Sequence, residues 1–112
     1  MRQHKYNAKK TTIDGITFDS KAEARRYGEL KLLEKAGQIH HLKLQPSFVL
    51  LPTFTDSTGK TQRGIKYVAD FSYSENYVQV VEDVKGVETP VFKIKAKLFR
   101  HQYPGLELRV VK

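Results

Sequence analysis

The stretch YVADFSYSENYVQVVEDVKG, residues 67–86, sets the architecture of the chain because it reads as two strands joined by a short turn. The first strand extends back to residue 63 as one β-rich run, and the polar residues 74–76 predict the turn. So short a connection makes the two strands an antiparallel pair. Since side chains alternate between the faces of a strand, Asp83 and Lys85 point to one face and Glu82 to the other.

A hairpin and a long helix are predicted before this pair. Asp14–Gly15, between β-branched flanks, is the favoured dipeptide of a two-residue hairpin turn. In FDSKAEARRYGELKLLEKAGQI, residues 18–39, Ser20 is a plausible N-cap and Glu23 follows three residues later, as in a capping box. Gly37 suits the position just beyond the helix C-terminus.

The middle of the chain reads as extended structure with an exposed loop. HLKLQPSFVLLP, residues 41–52, predicts a strand with a bend or an edge at Pro46. TFTDSTGKTQ, residues 53–62, is polar and contains a glycine, which favours an exposed loop or hairpin tip.

A second helix and a last strand complete the chain. Thr89 and Pro90 are typical of the N-cap and first turn of a helix, which then runs through VFKIKAKLFRHQY, residues 91–103. LELRVVK, residues 106–112, predicts a short final strand. The core order of helix, three strands, helix and strand predicts an α/β fold whose mixed sheet is covered on both faces.

The composition favours one domain that binds a polyanion. The chain has 112 residues, with 20 Lys and Arg against 12 Asp and Glu, so its formal net charge is +8. Because each neutralised phosphate releases condensed counterions, nucleic acid is the expected partner. The alternative is a charge that serves only solubility.

The chain has no cysteine, which excludes disulfide frameworks and cysteine–zinc sites and favours a reducing compartment. The basic residues 1–10 are not followed by an apolar run, so they predict neither a signal peptide nor a membrane span. We therefore expect a cytoplasmic protein.

Two carboxylates and a lysine are predicted to converge. Asp70 and Asp83 lie at similar distances from the predicted turn, on paired strands, and Lys85 follows two residues later. Paired carboxylates repel each other unless a cation holds them, and oxygen ligands suit Mg²⁺ or Mn²⁺. The alternative for Asp83 and Lys85 is a surface ion pair of small energy. Asp70, between two apolar residues, is harder to explain without a partner or a metal.

With these residues in place, the chain resembles a known superfamily. Asp70 followed by Asp83-Val84-Lys85 looks like the PD-(D/E)XK nuclease signature, which implies a restriction-endonuclease-like αβββαβ core over residues 1–112 with a basic arm at residues 1–10. More narrowly, YNAKKTTIDGITFDSKAEARRY, LKLQPSF, YVADFSY and VVEDVKGVETPVFKIKAKLF resemble small phage and prophage proteins. Those proteins are grouped with Holliday-junction-resolvase-like endonucleases, and the likeness covers nearly the whole chain.

The resemblance implies a role for each residue of the candidate site. Asp70 would bridge the metal, Asp83 would be the second carboxylate ligand, and the carbonyl of Val84 would be a third. Lys85 would act beside the nucleophilic water. Glu23, on the first helix, matches the extra acid of resolvase-like members, with helix capping as its alternative.

Two positions depart from the superfamily pattern. Ala69 stands where proline often precedes the first aspartate, a change that the superfamily tolerates. Resolvases more often carry glutamate at the position of Asp83, so the neighbouring Glu82 is a second candidate for the ligand.

Basic side chains on several elements are candidates for contact with the DNA backbone, with a solvated surface as the alternative. They are Lys9, Lys10, Arg26, Lys60, Arg63, Lys93, Lys97 and Arg100.

The expected function is that of a Mg²⁺- or Mn²⁺-dependent DNA endonuclease acting on branched, Holliday-junction-like DNA, as a homodimer, in a bacterial host cytoplasm if phage-encoded. The resemblance implies products with 5′-phosphate and 3′-hydroxyl ends. Two alternatives stay open: a nucleic-acid-binding accessory protein without catalysis, and a nickase or transposase-type subunit that needs a partner.

Overall fold

A computed structural model describes residues 10–112, which form a mixed α/β fold. The helices are α1 (Lys21–Lys35) and α2 (Pro90–Gln102). The strands are β1 (Thr11–Ile13), β2 (Ile16–Phe18), β3 (His40–Leu44), β4 (Ser47–Leu51), β5 (Phe54–Thr55), β6 (Thr61–Gln62), β7 (Ile65–Val68), β8 (Phe71–Glu75), β9 (Val78–Val84) and β10 (Leu106–Val111). Most of the predicted basic arm, including Lys9, lies outside the described residues.

The turn and capping residues in the sequence predicted the first hairpin and the first helix correctly. Asp14 and Gly15 both have positive φ, 53° and 75°, as the turn between β1 and β2 requires. The side chain of Ser20 accepts a hydrogen bond from the Glu23 N–H at 3.1 Å and caps α1. Gly37 has a φ of 77° just beyond the end of the helix. The predicted hairpin and helix are therefore confirmed.

The β-rich run 63–73 is not one strand, which corrects the prediction. It breaks at Ala69 and Asp70, a point that we call the fork. β8 continues in the main sheet beside β9, whereas β7 pairs with β4 in a separate two-stranded sheet. The bend on the opposite strand falls at Gln45 and Pro46, where a bend was predicted. Two backbone hydrogen bonds join the facing segments at the fork. The Gln45 N–H donates to the Asp70 carbonyl at 2.9 Å, and the Ala69 N–H donates to the Pro46 carbonyl at 3.1 Å.

The β8–β9 hairpin is antiparallel as predicted, but its turn lies later than residues 74–76. Asn76 and Tyr77 form the turn, with φ values of 50° and 66°. Phe71 pairs with Glu82 in the register, so the next pair towards the fork brings Asp70 opposite Asp83.

Two hydrophobic clusters lie on opposite faces of the four-stranded sheet, whose order is β10-β9-β8-β3. On one face Val80 packs with Leu30 of α1, and on the other Val81 packs with Phe99 of α2. Helix α2 begins at the predicted N-cap Thr89 and connects β9 to the parallel strand β10. The sheet is mixed and has a helix packed on each face, as predicted, but the chain between α1 and α2 forms more strands than the three that were predicted. Within residues 10–112, neither helix has the length and apolar character needed to cross a membrane.

The β4–β7 ribbon curves onto α2 and ends in a small hairpin, as predicted for residues 53–62. Leu50 and Tyr67 are buried against the helix in the same cluster as Phe99. At the tip, Asp56 accepts hydrogen bonds from the Thr58 hydroxyl (2.6 Å) and three further donors, which fix the turn between β5 and β6.

Candidate active site

Asp70 lies at the fork, between the end of β7 and the start of β8. Its Oδ2 accepts a hydrogen bond of 2.7 Å from the backbone N–H of Val84, the last residue of β9. Its own N–H donates to the Glu82 carbonyl at 3.2 Å. The carboxylate is therefore held against the end of β9 and stays partly exposed.

Asp83 is the buried member of the pair, with only 1% of its surface exposed. The hydroxyl of Tyr67 donates a hydrogen bond of 2.5 Å to its Oδ2, and the Lys85 ammonium lies 3.8 Å from the same oxygen. The ammonium also lies 4.9 Å from the centre of the Phe92 ring. The Lys85 backbone N–H binds the Val111 carbonyl at 2.8 Å, so the lysine is anchored just beyond the end of β9.

The pKa of Asp70 is affected by the neighbouring Asp83 carboxylate. Burial raises the pKa of Asp70 to about 8, helped by a hydrogen bond with the Asp83 carboxyl and by the negative charges of Asp83 and Glu23. The Val84 N–H opposes this shift. Burial and the bond to Asp83 also raise the pKa of Tyr67, which keeps its hydroxyl a donor. The raised pKa of Asp70 therefore favours a proton on that carboxyl near neutral pH when no cation is bound.

Glu23 approaches the same site from α1. Its backbone N–H serves the helix cap, so its carboxylate is not needed for that bond. Together with Asp70, Gln45 and Phe18 it lines a cavity of about 150 Å³. Burial raises the pKa of Glu23, as do the charges of Asp19 and Asp83, while Lys85 lowers it. Capping and an electrostatic role at the site are thus compatible in one residue.

The donor set fits a hard divalent cation that keeps water ligands. Within residues 10–112, no three Asp, Glu, His or Cys side chains form a ready-made metal cluster. Mg²⁺ commonly takes one or two protein carboxylates and completes its shell with water and substrate phosphate. The adjacent Asp70 and Asp83 carboxylates supply that number. The roles of Glu23 and of the Val84 carbonyl as ligands stay predictions.

Glu82 faces away from this pair and is used elsewhere. It is 0% exposed and binds Arg26 through two bonds, Nε to Oε2 at 2.7 Å and Nη2 to Oε1 at 2.9 Å. The Tyr73 hydroxyl adds a bond of 2.6 Å to Oε1. Of the two candidates for the second carboxylate of the site, Asp83 and Glu82, the geometry favours Asp83. It also favours a structural role for Arg26 over the predicted contact with DNA.

The other candidate DNA contacts occupy several surfaces. Lys10 precedes β1, Lys60 lies at the β5–β6 hairpin, and Arg63 lines a groove beside β7. The three on α2 are exposed, and they are Lys93, Lys97 and Arg100. Within residues 10–112, none of these basic side chains forms a hydrogen bond or an ion pair with Asp70 or Asp83.

Sequence reasoning missed Tyr67 and two lysines, Lys66 and Lys95. Tyr67 carries an available signal, since it stands three residues before Asp70 in the same β-rich run. Its bond to Asp83, however, spans 16 residues and forms only in the folded chain. Lys66 and Lys95 likewise come together with Lys85 at one groove only after folding.

The fold and the site define a mixed α/β protein in which a buried and a partly exposed carboxylate lie beside a lysine at the end of a central strand. The chain belongs to the family described as "Protein of unknown function (DUF1064)", whose model matches residues 3–112. No curated protein and no solved structure matches the chain.

Proposed function

We propose that this protein is a metal-dependent DNA endonuclease with a PD-(D/E)XK-type core. The observation that supports it most is the meeting of Asp70 and Asp83 at the fork, with the Lys85 ammonium 3.8 Å from Asp83. Buried carboxylates are unfavourable unless they are neutralised, and Lys85 is a single cation for two acids. A divalent cation bound to phosphate would complete the charge balance.

Asp70 and Asp83 would hold the cation, and Tyr67 would keep one Asp83 oxygen oriented. When bound, Mg²⁺ or Mn²⁺ would offset the negative charge of the phosphoryl oxygens and would lower the pKa of a bound water. Lys85 lies where its ammonium can orient a water or stabilise developing negative charge. Its contact with the Phe92 ring limits its motion, which favours a defined position over a freely solvated one.

Branched DNA in the cytoplasm is the proposed substrate, and a homodimer is the proposed state. The net charge of +8 supports a polyanionic substrate. The resemblance to resolvase-like phage proteins supports the branch and the dimer, because symmetric cleavage of a four-way junction calls for a two-fold enzyme.

The test is a cleavage assay on four-way-junction, flap and linear duplex DNA with Mg²⁺ or Mn²⁺. Wild type is expected to cut branched DNA and to leave 5′-phosphate and 3′-hydroxyl ends, and EDTA is expected to abolish cutting. Asp70→Asn and Lys85→Ala are each expected to lower the rate by at least ~100-fold, the scale on which loss of a transition-state group acts.

Lys43→Ala, at an exposed lysine of β3, is the matched control and is expected to cut at the wild-type rate. Cutting that persists in Asp70→Asn would assign the activity to a contaminant or another site. Binding without cutting by wild type, under all ions and substrates, would favour the accessory protein. Cutting only after addition of a second component would favour the partner-dependent subunit.

Glu23→Gln separates the two roles of that residue. If the carboxylate acts only at the site, the rate falls while the melting temperature is unchanged, because the cap uses the backbone N–H. A fall in melting temperature without a fall in rate would return Glu23 to a purely structural role.

A further inference from the structure

A groove beside the candidate site is lined by lysines from three separate elements. It has a volume of about 300 Å³ and lies between β7 and the first turns of α2. Lys66 comes from β7, Lys85 from just beyond the end of β9, and Lys95 from α2. We call this surface the lysine groove. Its volume is at the lower end of the range for small-ligand pockets.

The positive charge of the lysine groove is only partly compensated. Lys85 has Asp83 as a partner at 3.8 Å, but within the described part of the chain Lys66 and Lys95 form no ion pair with a carboxylate. Among residues 10–112, no acidic residue lines the groove. It therefore attracts an anion, and the positive end of the α2 dipole at Thr89 adds to the attraction.

The floor of the lysine groove is apolar, which narrows the class of anion. Val68 and Val91 line it and are 54% and 63% exposed, and the Phe92 ring lies beneath Lys85. A lysine rim over an apolar floor matches an anion that also carries apolar surface. The sugar–phosphate backbone of a nucleic acid is such a ligand, with phosphates at the rim and sugar C–H groups on the floor.

The position on α2 separates this surface from the lysines that the sequence singled out. Val91 and Lys95 are four residues apart and share one side of the helix. Lys93 and Lys97 are exposed and do not line the groove.

We propose that the lysine groove binds the backbone of the DNA strand next to the phosphodiester that is cut. Lys85 belongs both to the groove and to the candidate site, so a strand held there runs directly to the Asp70–Asp83 pair. The cleavage part of this inference rests on the proposed function. The binding part does not.

The experiment measures binding of the full chain to fluorescent single-stranded and duplex oligonucleotides by anisotropy, in EDTA, over a series of salt concentrations. Lys66→Gln/Lys95→Gln is compared with the control Lys35→Gln/Lys43→Gln, which alters two exposed lysines away from the groove and from the candidate DNA contacts. The slope of log K against log salt is expected to fall in magnitude by about 2 for the groove variant, about one for each phosphate that a lysine no longer neutralises. The control is expected to keep the wild-type slope, and circular dichroism melting verifies that both variants fold.

Each outcome bears on a different claim. An unchanged slope in the groove variant, or an equal reduction in the control, would overturn the inference even if wild type cuts DNA. A reduced slope in a protein that never cuts DNA would support the lysine groove and leave the endonuclease refuted. Binding of wild type to anionic phospholipid vesicles, abolished in the groove variant with DNA affinity intact, would assign the groove to lipid headgroups and overturn the inference.

Discussion

Substitution of Arg26 by methionine tests the buried ion pair that separates Glu82 from the candidate site. The change leaves a carboxylate that is 0% exposed with one remaining donor, the Tyr73 hydroxyl at 2.6 Å. Removing one partner of a buried pair costs about 3–5 kcal/mol. The Arg26 side chain is 27% exposed, so water can partly reach the gap, and we expect about 3 kcal/mol.

Such a loss is large against the whole stability of a small domain, about 5–15 kcal/mol. It is expected to lower the melting temperature by roughly 10–15 °C, measured by circular dichroism or calorimetry. Arg25→Met, at the exposed neighbouring position of α1, is the control and is expected to change the free energy of unfolding by no more than about 0.5 kcal/mol.

A double substitution identifies the cause of the loss. Arg26→Met/Glu82→Gln, which removes the buried charge and keeps an oxygen for Tyr73, is expected to recover at least half of the loss. An Arg26→Met variant as stable as Arg25→Met, or a double variant no more stable than Arg26→Met, would refute this reasoning.

Three other measurements test the site and the fold. In EDTA, the free energy of unfolding of wild type is expected to fall as pH rises from about 4 to about 8, because the pKa of Asp70 is raised to about 8 in the folded state and the folded protein binds the extra proton; denaturant titrations measure this, and a steep fall that persists in Asp70→Asn would contradict it. Tyr67→Phe leaves the Asp83 carboxylate without its buried donor and is expected to lower stability by about 1–3 kcal/mol and to raise the Mg²⁺ concentration for half-maximal cutting, whereas an unchanged metal titration would limit the tyrosine to a structural role. Gly64→Ala places a Cβ 2.4 Å from a backbone carbonyl oxygen and is expected to lower the melting temperature, while Gly28→Ala, with open space on α1, is expected to raise stability by up to about 1 kcal/mol; equal effects would show that the ribbon adapts.

Local sequence signals were sufficient for the helices and the first turn. Ser20 and Thr89 cap the helices at the predicted positions, and Asp14–Gly15 makes the predicted turn. Each of these features depends on hydrogen bonds between residues close in the chain, so the sequence contains the whole cause. Alternation along β9 likewise assigns Asp83 and Glu82 to opposite faces, because it follows from the backbone of a single strand.

The break at the fork was not predicted, because the aromatic and β-branched residues on both sides of Ala69 and Asp70 favoured one continuous strand although these two residues are themselves poor strand formers. The run is divided because its two halves pair with different strands. β7 pairs with β4, which packs against α2, and β8 pairs with β9 in the main sheet. The turn lies at Asn76 and Tyr77 instead of residues 74–76, because the pairing of β8 with β9 sets the length of both strands.

The order of the amino acids was enough to predict where the helices begin, which side each strand residue takes, and that Asp70, Asp83 and Lys85 belong near one another. The folded chain was needed to show that Arg26 binds Glu82, that Tyr67 holds Asp83, and that lysines from three elements line one groove. Capping and alternation act over a few residues, whereas these two hydrogen-bonded contacts join residues 56 and 16 positions apart and exist only once the sheet and both helices have packed.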